Sequence, residues 1–201
     1  VFPVAWDFIE ADEAAVAAVK AAAYFIYGSL SARHITSRET LLQLLEHAQC
    51  KVLDINLRPP FFTDDLLKAL LLKADILKVN ESELAILQQL FGNGTATEAE
   101  QVATIKSGFN IREVIVTKGE HGAAYYTPHE AFHEGGVPVE VCDTIGSGDS
   151  FLAAFIAGHL RKEAPAVILK KAVAMGAFIA GKKGGCPEYR LSEYLDFGSH
   201  Q

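Results

Sequence analysis

The sequence has little cysteine, no run of basic residues, no long apolar stretch and no amino-terminal methionine. Its three cysteines, Cys50, Cys142 and Cys186, are odd in number, far apart and outside any C-x-x-C spacing. That argues against a disulfide framework and a cysteine-based zinc site, and it places the chain in a reducing cytoplasm. Cys142 itself reads as a small buried residue. Eighteen basic side chains against 25 acidic ones give a net charge of −7, with Lys and Arg scattered. A phosphate-backbone footprint is therefore not expected, and nucleic acid is excluded as a partner. A small anion bound by backbone N–H groups stays compatible with that charge. The longest apolar stretch, 14–27, is broken by Lys20 and rich in alanine, and no signal peptide opens the chain. No membrane partner is implied. Val1-Phe2-Pro3-Val4 opens as if in the middle of a strand or loop, as expected of a piece of a longer protein.

What is present is a chain of 201 residues, half of them apolar, enough to build one domain around a core that hides roughly 70% of the unfolded surface. Short β-branched or aromatic runs alternate with amphipathic stretches of helical length. Helix 12–23 feeds a strand over 24–27 that stops at Gly28-Ser29. Thr36 and Glu39 have capping-box spacing for a helix through His47, and a strand over 51–55 exits at Asn56 to Pro60. Thr63 caps a helix to about Leu72, a strand covers 76–79, and Asn80 opens a helix to about Leu90, closed by Gly92-Asn93-Gly94. Thr97 and Glu100 form a further capping box, and a strand over 113–117 runs into Lys118-Gly119. Strands are then expected at 123–126 and 137–141, followed by helices at 148–161 and 164–180. Such repeats imply a mostly parallel sheet with ligands at the carboxyl ends of its strands, so the exits at Gly28-Ser29, Asn56-Arg58, Asn80-Glu83, Thr117-Gly119 and Asp143-Asp149 should share one edge.

The segment Asp143-Thr144-Ile145-Gly146-Ser147-Gly148-Asp149-Ser150-Phe151 follows an apolar strand pattern and opens an apolar helix. Glycines at 146 and 148 permit positive φ and close backbone approach. Successive N–H groups at such a turn, with the positive end of a helix dipole, form an oxyanion hole. A carboxylate placed there adds repulsion unless it has another task, and accepting a proton from a hydroxyl that attacks phosphorus is such a task. The segment lacks the Gly-Lys-Ser/Thr of a P-loop, and position 151 is phenylalanine rather than the glycine of a dinucleotide fingerprint. The plain structural alternative is an acidic first turn that compensates the helix dipole.

This segment resembles the C-terminal signature, D-T-x-G-A-G-D-x-F, of the ribokinase-like (PfkB) carbohydrate kinases. In the expected order, Asp54-Ile55-Asn56-Leu57-Arg58 resembles the D-x-N-x-R strand exit of the fructokinase-like members. Lys78-Val79-Asn80-Glu81-Ser82-Glu83 resembles K-x-N-E-x-E, and Val114 to Gly122 resembles V-T-x-G-x-x-G. The resemblance covers nearly the whole chain. It implies a three-layer αβα ribokinase-like (Rossmann-like) α/β fold with a mostly parallel central sheet, and the core and C-terminal part, 1–201, of a longer kinase. It also implies an ATP-dependent sugar kinase, most like a fructokinase, in which Asp149 is the catalytic base and the backbone of Gly146, Ser147 and Gly148 is the anion hole. Arg58 would meet the transferred phosphate. Thr117, Lys118, Gly119, Glu120 and Gly122 would line the nucleotide site. Asn80 and Glu83 would organise phosphate and magnesium, Glu83 through water. ATP and magnesium are the implied cofactors, with potassium at backbone carbonyls around Asp143 and Ile145.

Plainer readings stand beside these. Asn80 with Glu83 is also a capping-box variant, Arg58 an ordinary surface arginine, and Thr117-Lys118-Gly119 a strand ending in a turn. Val173 stands where many members carry an asparagine near the nucleotide. The glycine-rich sugar motif and most of the lid, through which members commonly form homodimers, have no match; 1–8 reads as the last lid strand, with Trp6 and Phe8 as lid residues. His121, His129 and His133 lie in polar loop sequence without a ligating set. The alternatives are a kinase for ribose, 2-keto-3-deoxygluconate or a nucleoside, and a non-catalytic binder or regulator of the same fold.

Overall fold

The computed structural model describes residues 3–92 and 97–199, in two compact units: 1–116 with 126–128, and 117–125 with 129–201. Val1-Phe2 and Asn93-Gly94 of the expected segments lie outside the described residues.

In the first unit α1 (Glu13–Ala21), β1 (Phe25–Tyr27), α2 (Ile35–Leu45), β2 (Lys51–Asp54), α3 (Asp64–Leu71), β3 (Ile76–Asn80), α4 (Glu81–Phe91), α5 (Glu98–Phe109) and β4 (Glu113–Thr117) follow in chain order. The strands lie in the order β1-β2-β3-β4, and β1, β2 and β3 are parallel in the register Ile26–Val52–Ile76. Val52 and Leu53 on β2, Ile76 to Val79 on β3 and Val114 to Val116 on β4 are buried in succession, so both faces of each strand are covered. That explains why they read as unbroken apolar runs rather than alternating ones. Asp12, Thr63, Asn80 and Thr97 each cap the helix that follows, as their positions in the sequence imply.

The Thr36–Glu39 box does not form. Helix α2 starts two residues too early for it, with His34 as an uncapped N-cap, because Ser37 at the third helical position has a different task. Its hydroxyl accepts from the Ile9 N–H and donates to the Trp6 carbonyl, both at 2.8 Å. The segment expected as a lid strand is instead a 3₁₀ turn at Ala5–Asp7 held by this clasp and by Asp7. The Asp7 carboxylate, fully buried, accepts from Arg33 Nε at 2.7 Å and Nη2 at 2.8 Å and from the Val4 N–H at 3.1 Å. The Arg33 guanidinium lies over the Phe61 ring, 4.6 Å from its centroid. A buried carboxylate is tolerable only when its lone pairs are so filled.

The hydrogen bonds from Arg33 hold the Asp7 carboxyl at about 2, below its ordinary 3.8. Since the folded value is the lower one, its stabilisation is fully present above about pH 4 and is lost as pH falls through about 2. Thermal unfolding across that window is expected to show Asp7→Asn well below the parent at about pH 5 and converging on it near pH 2. A pH-independent gap would contradict the assignment.

In the second unit β5 (Ala123–Tyr126) lies beside β6 (Ala131–Glu134), followed by α6 (Ser147–Leu160), α7 (Pro165–Ala180) and α8 (Leu191–Ser199). The strand expected at 137–141 is displaced to β6, which takes in His133. Gly135-Gly136 break the pattern, and Pro138 removes a ladder donor from the middle of the expected strand. Helix α8 was not expected; its Tyr194 and Phe197 rings pack on Phe178 of α7, with centroids 5.4 and 5.5 Å away. Cys142, expected inside, is exposed. Among the described residues no helix is long and apolar enough to cross a membrane.

Candidate active site

The carboxyl ends of β1, β2 and β3 share one edge, and there two of the sequence motifs lock together. Asp54 and Lys78 are directly opposite in register, and Lys78 Nζ donates to Asp54 Oδ2 at 2.8 Å with both side chains largely buried. Ser29 Oγ reaches the Asn56 carbonyl at 3.4 Å. Asn56 itself takes φ of +40°, and the chain beyond it exposes Arg58, whose side chain has no partner among the described residues.

Glu83 joins both motifs. Its Oε2 accepts from the Asn80 N–H at 2.9 Å while Asn80 Oδ1 accepts from the Glu83 N–H at 2.9 Å, completing a capping box. Its Oε1 accepts from the buried Leu57 N–H at 2.8 Å. The carboxylate, 8% exposed, thus ties the first turn of α4 to the loop that carries Arg58. An unmet buried N–H costs about 1–3 kcal/mol, so this side chain orders the loop whatever else it does.

In the second unit, Thr117 ends β4, and the chain turns through Lys118 and a 3₁₀ turn at Gly119–His121 to Gly122. The Lys118 N–H donates to the Gly122 carbonyl at 2.8 Å. Gly122 has φ of +88°, and a Cβ there would lie 2.0 Å from the Glu134 carbonyl oxygen, so only glycine lets the two segments pass so closely. Glu120 and His121 are exposed.

The signature loop is tied by Asp143, whose Oδ1 accepts from the Ile145 N–H at 2.9 Å and Oδ2 from the Gly184 N–H at 3.3 Å. Gly146 is the N-cap of α6 with φ of +80°. Gly148, which as a glycine is free to take positive φ, does not use that freedom and is an ordinary first-turn residue of that helix. The Ser147 N–H donates to the Thr144 carbonyl at 3.3 Å and its hydroxyl to the Gly176 carbonyl at 2.9 Å. The N–H groups of Gly146, Gly148 and Asp149 have no acceptor among the described residues. Asp149 is exposed in the same turn. Open donors and a positive helix end meet a carboxylate there, an arrangement suited to an anion beside a proton acceptor.

These elements face an open cavity of about 590 Å³ within the second unit, lined by Thr117, Gly119, Glu120, Gly122, Ser147 and Gly148 together with an apolar wall that includes Val173. Of the predicted site residues, Thr117, Gly119, Glu120, Gly122, Ser147 and Gly148 therefore come together on one cavity, whereas Arg58, Asn80 and Glu83 gather on the strand edge of the first unit. Lys118, Gly146 and Asp149 adjoin the cavity in sequence but do not line it. The Glu83–Leu57 tie, spanning 26 residues, was missed by sequence reasoning, which carries no signal for so long a contact. Among the described residues no three His, Cys, Asp or Glu side chains form a metal-binding group.

Residues 4–189 match the sequence profile described as "pfkB family carbohydrate kinase". The Arabidopsis thaliana protein named "Probable fructokinase-2" is 30% identical over 92% of this chain and 60% of its own length. The deoxyribokinase of Salmonella typhi is 28% identical over 78% of this chain and 52% of its own. An E. coli protein described as a ribokinase II, solved with ATP and magnesium, superposes with a TM-score of 0.80 at 25% identity, covering 92% of this chain and 61% of that one. The chain thus spans roughly half to two thirds of these relatives' lengths, and its fold is the ribokinase-like α/β fold.

Proposed function

The chain belongs to the pfkB family of carbohydrate kinases, and from that premise we propose that it transfers the γ-phosphoryl group of ATP to a sugar hydroxyl, with fructose as acceptor. The observation that carries the reading is the first turn of α6, where the exposed Asp149 carboxylate stands among the open N–H groups of Gly146, Gly148 and Asp149. A binding protein gains nothing from a carboxylate beside an anion; a kinase gains a proton acceptor.

Asp149 takes the proton of the attacking hydroxyl. The open N–H groups hold the charge that grows on the transferring phosphoryl oxygens, a stabilisation that needs no reorganisation during the reaction. Within the first unit, Arg58, whose side chain has no partner among the described residues, is a guanidinium available to a phosphate group, and within the second the turn from Thr117 to Gly122 lets backbone lie close to the nucleotide. Magnesium, when bound, neutralises the phosphate oxygens. Glu83 would hold it through water, since both carboxylate oxygens already accept N–H groups.

The test is sugar-dependent ADP formation by the complete polypeptide with magnesium and ATP, across fructose, ribose, 2-keto-3-deoxygluconate and adenosine. Fructose is expected to give the highest kcat/KM. A higher value with another acceptor keeps the chemistry and overturns the acceptor, as the deoxyribokinase relative makes worth measuring. No turnover in a folded protein that binds ATP would point to a regulator.

A further inference from the structure

None of the residues assigned to phosphoryl transfer lines an open depression of about 320 Å³ in the first unit. Its size is at the lower end of small-molecule sites, which run from about 300 to 1,000 Å³. Arg33, His34 and Arg38, around the start of α2, make its polar part, and Pro60, Phe61, Phe62 and Leu66, from the loop after β2 and from α3, its apolar part. Among the described residues no carboxylate lies on the lining. Arg33 is neutralised by Asp7, and its face is taken by the Phe61 ring, 4.6 Å from the centroid. Arg38 is not neutralised. Its Nε donates to the Ala32 carbonyl at 2.7 Å and its Nη2 to the Arg33 carbonyl at 3.1 Å, and it makes no ion pair among the described residues. Carbonyls fix a guanidinium without cancelling its charge, and these two bonds leave the rest of its five N–H donors open. In a chain of net charge −7 this half-buried arginine is a positive point already held in place, so little rotamer freedom is left to lose when an anion binds.

Thr63 adds a donor of another kind to the lining. Its hydroxyl oxygen accepts from the Leu66 N–H at 3.2 Å as the cap of α3, which leaves the hydroxyl proton to donate. Asp64 and Asp65, exposed on the first turn of α3, do not line the depression. Donors from separate elements, Arg38 within α2 and Thr63 ahead of α3, suit the tetrahedral oxygens of a phosphate better than a flat carboxylate, and the phenylalanine rings beside them suit an apolar body on that phosphate. We propose that this depression is a second anion site, made of residues other than those of α6, that seats a small phosphate monoester with an apolar group on its ester oxygen. Arg58 is not on the lining, but the Phe61 N–H donates to the Arg58 carbonyl at 2.8 Å, so whatever fills the site packs against the loop that carries Arg58.

Calorimetric titration of the complete polypeptide tests this, with magnesium and a non-hydrolysable ATP analogue in excess so that the turn of α6 is not what the titrant reports. Phenyl phosphate is expected to bind at least about tenfold more tightly than inorganic phosphate, because its ring buries apolar surface. Benzyl alcohol, which has the ring without the charge, is expected to bind at least about tenfold more weakly than phenyl phosphate. Variants place the ligand. Arg38→Gln removes the charge and is expected to weaken phenyl phosphate by about tenfold or more. Because Arg38 also holds the turn ahead of α2, Thr63→Asp is the second variant. Aspartate caps a helix as well as threonine does, so the fold is kept while a carboxylate enters the lining, and a loss of about tenfold or more is again expected. Arg58→Gln is expected to leave phenyl phosphate within about twofold of the parent. Absence of phenyl phosphate binding, inorganic phosphate or benzyl alcohol binding as tightly as phenyl phosphate, parental affinity in Thr63→Asp, or loss of binding in Arg58→Gln would each overturn the proposal, and none of them bears on the role of Asp149.

Discussion

Asp149→Asn is expected to lower kcat by about 10²–10⁴-fold while ATP binds as tightly as before or more tightly. The opposite signs make the result diagnostic. Asp149 is exposed and makes no side-chain hydrogen bond or ion pair among the described residues, so an isosteric amide breaks no such tie. At the first turn of α6 the carboxylate does favour the helix dipole, an effect of about 0.3–1 kcal/mol that its loss would forfeit. That small destabilisation is readily seen by denaturant titration and cannot produce a hundredfold fall in rate. The amide cannot accept a proton, yet it no longer repels the phosphates held by the neighbouring N–H groups, so binding should hold or improve. Steady-state rates and calorimetric ATP affinity, measured on the same preparation, decide the matter. A rate near that of the parent would remove Asp149 from the role of base, and a parallel loss of rate and affinity would mean that it serves binding instead.

How far this arrangement could be read beforehand depended on whether each feature is local. The caps at Thr63, Asn80 and Thr97 were legible because donor and acceptor lie three residues apart, a spacing that sequence records directly. The buried strands β2, β3 and β4 were legible for the same reason, since burial on both faces leaves an uninterrupted apolar run. The Thr36–Glu39 pair had the right spacing and still failed, because contacts 28 and 31 residues distant recruited Ser37 and set the start of α2. Residues 137–141 have a strand-like composition, but they line a cavity and form no ladder, and composition does not say which side of an apolar residue is open. In the candidate site, the residue types and their order along the chain were visible. The ties that position them, Asp54 to Lys78 and Leu57 to Glu83, were not, because they join motifs 24 and 26 residues apart.

Gly146→Ala is expected to weaken ATP binding by at least about tenfold and to destabilise the protein well beyond the cost of its backbone conformation. Two terms are involved, and a second glycine separates them. Gly146 has φ of +80°, where an L-residue costs about 1–2 kcal/mol, and a Cβ there would lie 2.0 Å from the Gly185 carbonyl oxygen and 2.8 Å from its carbon. Backbone atoms cannot swing aside as a side-chain tip can, so either residues 184–186 or the start of α6 must move. Gly184 has φ of +85° but open space where its Cβ would go. Gly184→Ala therefore carries only the conformational term, about 1–2 kcal/mol, and should leave ATP affinity within about twofold. The excess loss in Gly146→Ala then measures the clash. Moving α6 displaces the N–H groups of Gly148 and Asp149 together, and charge-assisted hydrogen bonds weaken steeply once their geometry is lost. A fall in ATP affinity of at least tenfold is expected, alongside a lower denaturant midpoint than that of Gly184→Ala. If the two variants matched in both stability and ATP affinity, the close approach of Gly146 to Gly185 would not be what holds the turn in place, and the anion site would have to be sought in another part of the cavity.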